Sequence, residues 1–337
     1  MKKLLALLLV LFTAFTFIAC DGSQTSESQK QDEQLTFNVG VVDGAPALAV
    51  ADIINGYDFD GKGYDVKTGV ELSANAQTIT ASLINGELDM AIIPLNLASK
   101  LYNESKNLNL KLATVNIFGC LYMIGKNDLA SVEDLKGKIV YTVGQNGTPE
   151  IIFNFLLSQA GIEYEYGDEV VDSNKVYVKV ASQASEIIQA LKGGNADYAI
   201  LGEPAVTNIC AKTGASVVMD MQAEWQKHHA EGKFVQAGLV VKGSVAEKTE
   251  YLEALIAKLG QNKDYLSANV TSLKELYTNK GSASLKIDFT KEILDRCNVG
   301  CSKASVEKAN IVAFLTAVKN FKAPLVGGEL PKDDFYL

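Results

Sequence analysis

The chain has 337 residues, 47% hydrophobic and 21% charged, with a formal net charge of −9. That acidic balance, with no basic stripe and no aromatic–basic cluster, excludes nucleic-acid binding. The length requires two lobes in place of one core. Arg296 is the sole arginine, so a bidentate guanidinium clamp on an anionic ligand can come from one place only.

The first 20 residues read as an export signal. Lys2 and Lys3 form a positive start, and the apolar run 4–17 is too short and wrongly flanked for a spanning helix. Ala19 before Cys20 is the small residue expected of a bacterial lipoprotein signal, although Leu is commoner than Phe17 at its position. Lipid (palmitate) on Cys20 is the expectation; a secretory signal cut nearby and an uncleaved anchor are the alternatives. Residues 21–34 are rich in Ser, Gln, Asp and Glu and read as a flexible tether from membrane to domain.

Residues 36–102 alternate as β-α-β-α-β-α, which argues a parallel sheet with helices on its faces. Strand 65–72 leads into Ser73 and Asn75, and strand 89–93 into Pro94 and Asn96. The apolar run 110–124 holds two short strands broken at Gly119. Residues 131–137 make a helical turn, and then comes the stretch on which the chain is organised, KIVYTVGQNGTPEIIFNFLLSQAGI (138–162). Its β-branched start is a buried strand. Gly144 to Gly147 break it with residues that tolerate positive φ. Thr148 offers an N-cap oxygen, Pro149 suits the first helical position, and Gly161 stops the helix. Such a loop sets free backbone N–H groups at the positive end of a helix, a seat for a carboxylate, sulfonate or other polar ligand. The alternative is a plain strand-to-helix joint.

That grammar repeats. TFNVGVVDGAPALAVADII (36–54) runs strand, Asp43-Gly44-Ala45 turn, Pro46, helix, and NGELDMAIIPLNLA (85–98) is echoed by GGNADYAILGEPAV (193–206). Two similar α/β units, each with loops at the carboxyl ends of strands, make a cleft when they face each other. Strand-like segments 120–124 and 234–241 are the expected crossings between lobes, and everything after Ser244 reads as helix that returns to the first lobe. Lobe 1 is therefore expected at 35–124 and 235–337, and lobe 2 at 125–234.

Besides Cys20, the cysteines are Cys120, Cys210, Cys297 and Cys301. An exported location permits a Cys297–Cys301 disulfide, while Cys120 and Cys210 read as buried small hydrophobes. His228 and His229 are adjacent and no carboxylate cluster sits at ligand spacing, so no metal or cofactor is expected.

In order, GVVDGAPALA, LKGKIVYTVGQNGTPEIIFNFL, LGEPAVT, QAGLVV and GELPKDDFY resemble the type II periplasmic binding proteins of ABC importers. The closest branch includes the nitrate, sulfonate and taurine binders and the thiamine-precursor proteins. The resemblance implies two Rossmann-like α/β lobes joined by two hinge strands and closing over a small ligand. It implies a monomer, anchored by lipid and facing the periplasm or cell exterior, that passes its ligand to a permease and ATPase. No catalytic residue is expected. The thiamine-pyrimidine synthases of the superfamily carry a cysteine-rich iron-binding run that is absent here, and they and the menaquinone-pathway enzymes work in the cytoplasm. A sensory lipoprotein of the same fold is the other alternative. The candidate ligand-binding residues are Asp43, Gly44, Ala45, Ser73, Asn75, Asn96, Gln145, Asn146, Gly147, Thr148, Glu203 and Trp225. Their amides and carboxylates outnumber cations, which favours a neutral or cationic nitrogen heterocycle over a simple oxyanion. Helix N-termini leave a small organic anion possible. Arg296 is expected at the surface.

Overall fold

The computed structural model describes residues 33–73, 75–229 and 232–337. The expected signal with Cys20 and the expected tether up to residue 32 lie outside the described residues, while Glu33 and Gln34 belong to the first strand.

The alternation begins with β1 (Glu33–Val42), a one-turn helix α1 (Ala45–Leu48), β2 (Tyr57–Asp60) and β3 (Tyr64–Ser73). It continues through α2 (Ala76–Asn85), β4 (Met90–Pro94), α3 (Leu95–Glu104) and β5 (Lys111–Ile117). Then come β6 (Leu121–Gly125), β7 (Ile139–Val143), α4 (Thr148–Gln159), β8 (Tyr164–Tyr166) and β9 (Val176–Ala181). α5 (Ala184–Gly193), β10 (Tyr198–Gly202), α6 (Ala205–Thr213), β11 (Ser216–Asp220) and α7 (Met221–His228) complete the middle of the chain. β12 (Ala237–Val241) is followed by α8 (Gly243–Ala246), α9 (Thr249–Gly260), α10 (Asn262–Ala268), α11 (Leu273–Asn279) and α12 (Lys291–Arg296). The strand β13 (Val299–Lys303) precedes the long α13 (Lys308–Lys322).

The strands form two sheets, β13-β5-β12-β4-β1-β3-β2 and β11-β6-β10-β7-β9-β8. β1 runs parallel to β3 and β4, and β7 parallel to β9 and β10. The repeated sequence makes the repeated contact. Asp89 accepts from the Asn38 amide at 2.9 Å, and Asp197 accepts from the Ile139 amide at 2.9 Å. Each carboxylate thus ties the start of its own strand to the strand beside it.

β6 pairs with β10 and β11, so the chain leaves the first sheet at 118–120 and returns at 234–236. The boundary expected after Ile124 falls inside β6. Gly119 sets the turning point: its φ is +85°, and a Cβ there would meet Gln222 and Phe234. The expectation of helix alone after Ser244 misses β13, which gains its backbone partners from the exposed edge of β5.

Both faces of each sheet are covered. α1 and α9 to α12 pack on one face of the first sheet, with Tyr251, Leu255 and Tyr277 fully buried, and α5 and α6 cover the matching face of the second. The other faces share one continuous core. α13 packs on both α3 and α4, and its buried Ile311, Phe314, Leu315 and Val318 join residues of the two sheets. This helix was expected to complete the first lobe alone; its apolar stripe is wide enough to serve both, at about 1.5–3 kcal/mol per buried side chain. Cys297 and Cys301 are free thiols: Cys297 closes α12 inside the core, while the Cys301 Sγ turns to the Ile256 carbonyl at 3.7 Å. Burial pushes both thiols up, Cys301 to about 11. Among the described residues, no helix is long and apolar enough to cross a membrane.

Candidate functional site

Strand direction decides where a ligand can sit. In the first sheet Val42 lies opposite Ser73, and Pro94 opposite Ala237, which itself faces Ile117. The carboxyl ends of β1, β3, β4 and β5 therefore share one edge. In the second sheet Val143 is level with Ala181, and Gly202 is opposite Leu121, the first residue of β6. The first crossing thus runs from the carboxyl edge of one sheet directly to the carboxyl edge of the other. Two such edges facing each other across a pair of crossings form a cleft at the position where open α/β sheets bind ligands.

On the first edge, the Asp43 carboxylate is already committed. Ser282 Oγ donates to it at 2.5 Å, and the amides of Ala283 and Ser284 donate at 2.7 and 3.1 Å. Gly44, at φ +128°, turns the chain so that Pro46 can enter α1, with Ala45 buried behind it. Ser73 donates to the Asn75 carbonyl at 3.2 Å, and Asn75 Oδ1 caps α2 by accepting from Thr78 N and Oγ1, both at 2.9 Å. Asn96, in the first turn of α3, is 9% exposed and its Oδ1 has no hydrogen-bond partner among the described residues.

The organising loop on the second edge differs from expectation. Helix α4 begins at Thr148, one residue early, and Gly147 is its cap, so the threonine is buried in the first turn and supplies no capping oxygen. No side chain caps α4; Glu150 in its first turn accepts from the Asn146 amide just ahead of the helix at 2.5 Å, and the Gly147 amide donates to Gly144 O at 3.0 Å. One loop amide that an external anion would need is therefore held by the chain's own carboxylate. Its other oxygen accepts from Tyr166 OH at 2.6 Å, and Asn154 donates to that hydroxyl at 3.0 Å. Burial, reinforced by the hydrogen bond to Glu150, pushes the Tyr166 phenol up. Gln145 is exposed on the rim, and Lys322 at the end of α13 donates to Asn146 Oδ1 at 3.1 Å.

Glu203, 3% exposed, is likewise occupied. Arg296 Nε donates to it at 2.7 Å, Thr207 Oγ1 at 2.9 Å and Thr207 N at 3.1 Å. The expectation of a surface arginine is corrected here, since Arg296 reaches from the first lobe into the second and also donates to Thr207 Oγ1 at 2.9 Å. Trp225 lines no cleft. It is 0% exposed, stacked on His229 with ring centroids 4.3 Å apart and packed against Phe155 at 4.9 Å and Phe234 at 5.5 Å. An indole surrounded by four aromatic rings is held by dispersion and area burial.

No family model matches the chain, and no curated protein matches it. Solved structures do. A Parabacteroides distasonis protein described as an ABC transporter is 22% identical, with a TM-score of 0.72 over 90% of this chain and 98% of its own. The periplasmic aliphatic sulphonate binding protein SsuA of Escherichia coli is 13% identical, with a TM-score of 0.63 over 91% and 98%. The ligand-binding component of an ABC-type import system from Staphylococcus aureus is 12% identical, with a TM-score of 0.59 over 90% and 97%. The fold is that of the two-lobed periplasmic binding proteins.

The two crossings are laced together. Gln236 N donates to Ile117 O at 2.9 Å, while its side chain accepts from Cys120 N at 3.1 Å. With its amide oriented to satisfy both neighbours, Gln222 donates to Phe118 O at 2.6 Å and accepts from Phe234 N at 2.8 Å. Gln222, Gln236, Glu150, Ser282 and Arg296 are the residues that sequence reasoning missed. Only Glu150 left a local signal, an acid in the first turn of a helix.

Proposed function

We propose that the chain is an extracytoplasmic solute-binding lipoprotein that captures a small organic ligand, a nitrogen heterocycle or a small organic anion, between its lobes. It hands that ligand to the permease and ATPase of an ABC importer, works as a monomer, and is held at the membrane by lipid on Cys20. The observation that carries this reading is the meeting of two carboxyl edges across the crossings at 118–120 and 234–236. Its expected site remains the turns at 43–45, 73–75, 96, 145–148 and 203. The buried, unpartnered Oδ1 of Asn96 supports a ligand with an N–H to donate. The fold likeness to binding components of import systems supports binding without turnover.

A thermal-shift panel of heterocycles, amino acids, polyamines and organic anions tests it. A ligand at a hundred times its dissociation constant adds about 2.7 kcal/mol of stability, and small-angle scattering with that ligand should show the lobes drawing together. Chemical conversion of the ligand, or stabilisation with no change in lobe separation, would overturn the reading. Cys20→Ala should move the chain out of the membrane fraction.

A further inference from the structure

We infer that the pocket between the carboxyl ends of β7, β8 and β9 and the last turn of α13 seats a planar aromatic carboxylate. The inference rests on the reading of this chain as a solute binder and assigns a ligand class to the second-sheet side of the expected site, where Gln145 and Asn146 line this pocket. The pocket encloses about 700 Å³, a size typical of small-molecule sites. Four features give it a chemical preference.

One is an aromatic corner built in advance. Tyr166 is 56% exposed. Its hydroxyl is nevertheless tied at both ends, to Glu150 at 2.6 Å and Asn154 at 3.0 Å, so the ring orientation is set before any ligand arrives. Tyr164 stands against it at 5.9 Å and 82°, and Phe321 of α13 lines the same pocket. Rings held this way present a face and an edge to a flat partner and lose little entropy on binding.

The second is a cation without a counter-charge. Lys179 in this pocket is paired with Asp168 at 2.9 Å. Lys322 has no carboxylate within ion-pair distance among the described residues and rests on the neutral Asn146 Oδ1 at 3.1 Å. An incoming carboxylate offers that ammonium a stronger, charge-assisted partner than an amide oxygen. The third is the loop itself: its Asn146 amide is already taken by the Glu150 carboxylate, so a ligand anion is directed to Lys322. The fourth is a polar rim, with Gln145 and Ser182 placed to hydrogen-bond the ligand's remaining oxygen or a ring nitrogen.

The test is calorimetry on the full chain in detergent with benzoate and nicotinate. Benzamide serves as the uncharged control and cyclohexanecarboxylate as the charged control that is not flat. Benzoate or nicotinate should bind more tightly than both controls. Lys322→Met should weaken that binding by about tenfold or more, as loss of a charged hydrogen bond does. Tyr166→Ala should weaken it comparably, while Tyr166→Phe, which keeps the ring, should cost less. Lys286→Met, a distant lysine, should leave it unchanged, and matching thermal melts would show that the variants fold. Equal binding of all four compounds, or wild-type affinity in both Lys322→Met and Tyr166→Ala, overturns the inference. Lobe closure on a different solute, with no response to ring carboxylates, overturns the ligand class while the proposed function stands. Failure of every solute to bind or close the lobes sinks both.

Discussion

In the first sheet Asp89 ties β4 to Asn38 of β1; in the second Asp197 ties β10 to Ile139 of β7, each at 2.9 Å. The frames are duplicates, yet the turns above them are not. After β1, Asp43 reaches across to Ser282, Ala283 and Ser284; after β7, Glu150 folds back on its own loop at Asn146. After β4, the Asn96 oxygen is unpartnered; after β10, Glu203 is saturated by Thr207 and Arg296. Duplicated strands set where the turns stand, and the carboxylates chosen for them decide which turns brace the molecule and which do not.

The largest effect should come from the most buried of these braces. Glu203→Ala leaves the Arg296 guanidinium with the exposed Glu292 as its remaining carboxylate partner, a loss of about 3 kcal/mol, at the low end for a broken buried pair because Glu292 stays within 2.6 Å and Arg296 keeps 25% of its side chain exposed. Adding Arg296→Ala should restore part of that loss in urea denaturation. A double variant as unstable as the sum of the singles would mean that the two side chains do not act as a pair across the lobes.

Asp43→Ala should cost slightly less, about 2–3 kcal/mol, because the Ala283 and Ser284 amides it orphans can be rehydrated, although Ser282 is buried. Asp43→Asn retains one acceptor and should fall between. Glu150→Ala should cost about 1–2 kcal/mol, since it breaks only local contacts. It also sharpens the comparison. With the internal carboxylate gone, the Asn146 amide becomes available to an external anion at the start of α4. Sulfate should then raise the melting temperature of Glu150→Ala more than that of wild type. An identical sulfate response would show that the Asn146 amide is not held by the chain's own acid.

How much of this was legible depends on range along the chain. The frame was readable because glycine, proline and aspartate act locally: Gly119 breaks a single apolar run, and the Asp89 and Asp197 motifs announce their strands. Thr148 misled because a threonine before proline has the form of a cap, whereas the helix takes it in as its first residue and Gly147 stands at the cap. Arg296 could not be placed, because its partner is 93 residues away and nothing near position 296 encodes the meeting of α12 with α6. Trp225 sits in a polar stretch, MQAEWQKH, and its burial comes from Phe155, Phe234 and Phe314 on three other segments. β2, β8 and β13 are short strands that exist because an edge was there to pair with.

The smallest predicted effect lies in that aromatic cluster. Burial, then the neighbouring charge of His228, holds the His229 pKa below its ordinary 6.5. The folded chain therefore favours neutral His229, while the unfolded chain takes up a proton near 6.5. Stability from this group is complete above pH 6.5, declines as pH falls through 6.5 toward the lowered folded value, and is flat below it. Carboxylates titrate in the same range, so the informative quantity is a difference. His229→Phe keeps a ring stacked on Trp225 but carries no proton, and the stability of wild type relative to this variant should fall between pH 7.5 and 5.5. Trp225 is the only tryptophan, so its emission follows unfolding and the stacking contact together. A difference that stays constant across that range would mean that His229 charges freely in the folded state, and that its place against the indole is a surface contact instead of part of the core shared by the two lobes.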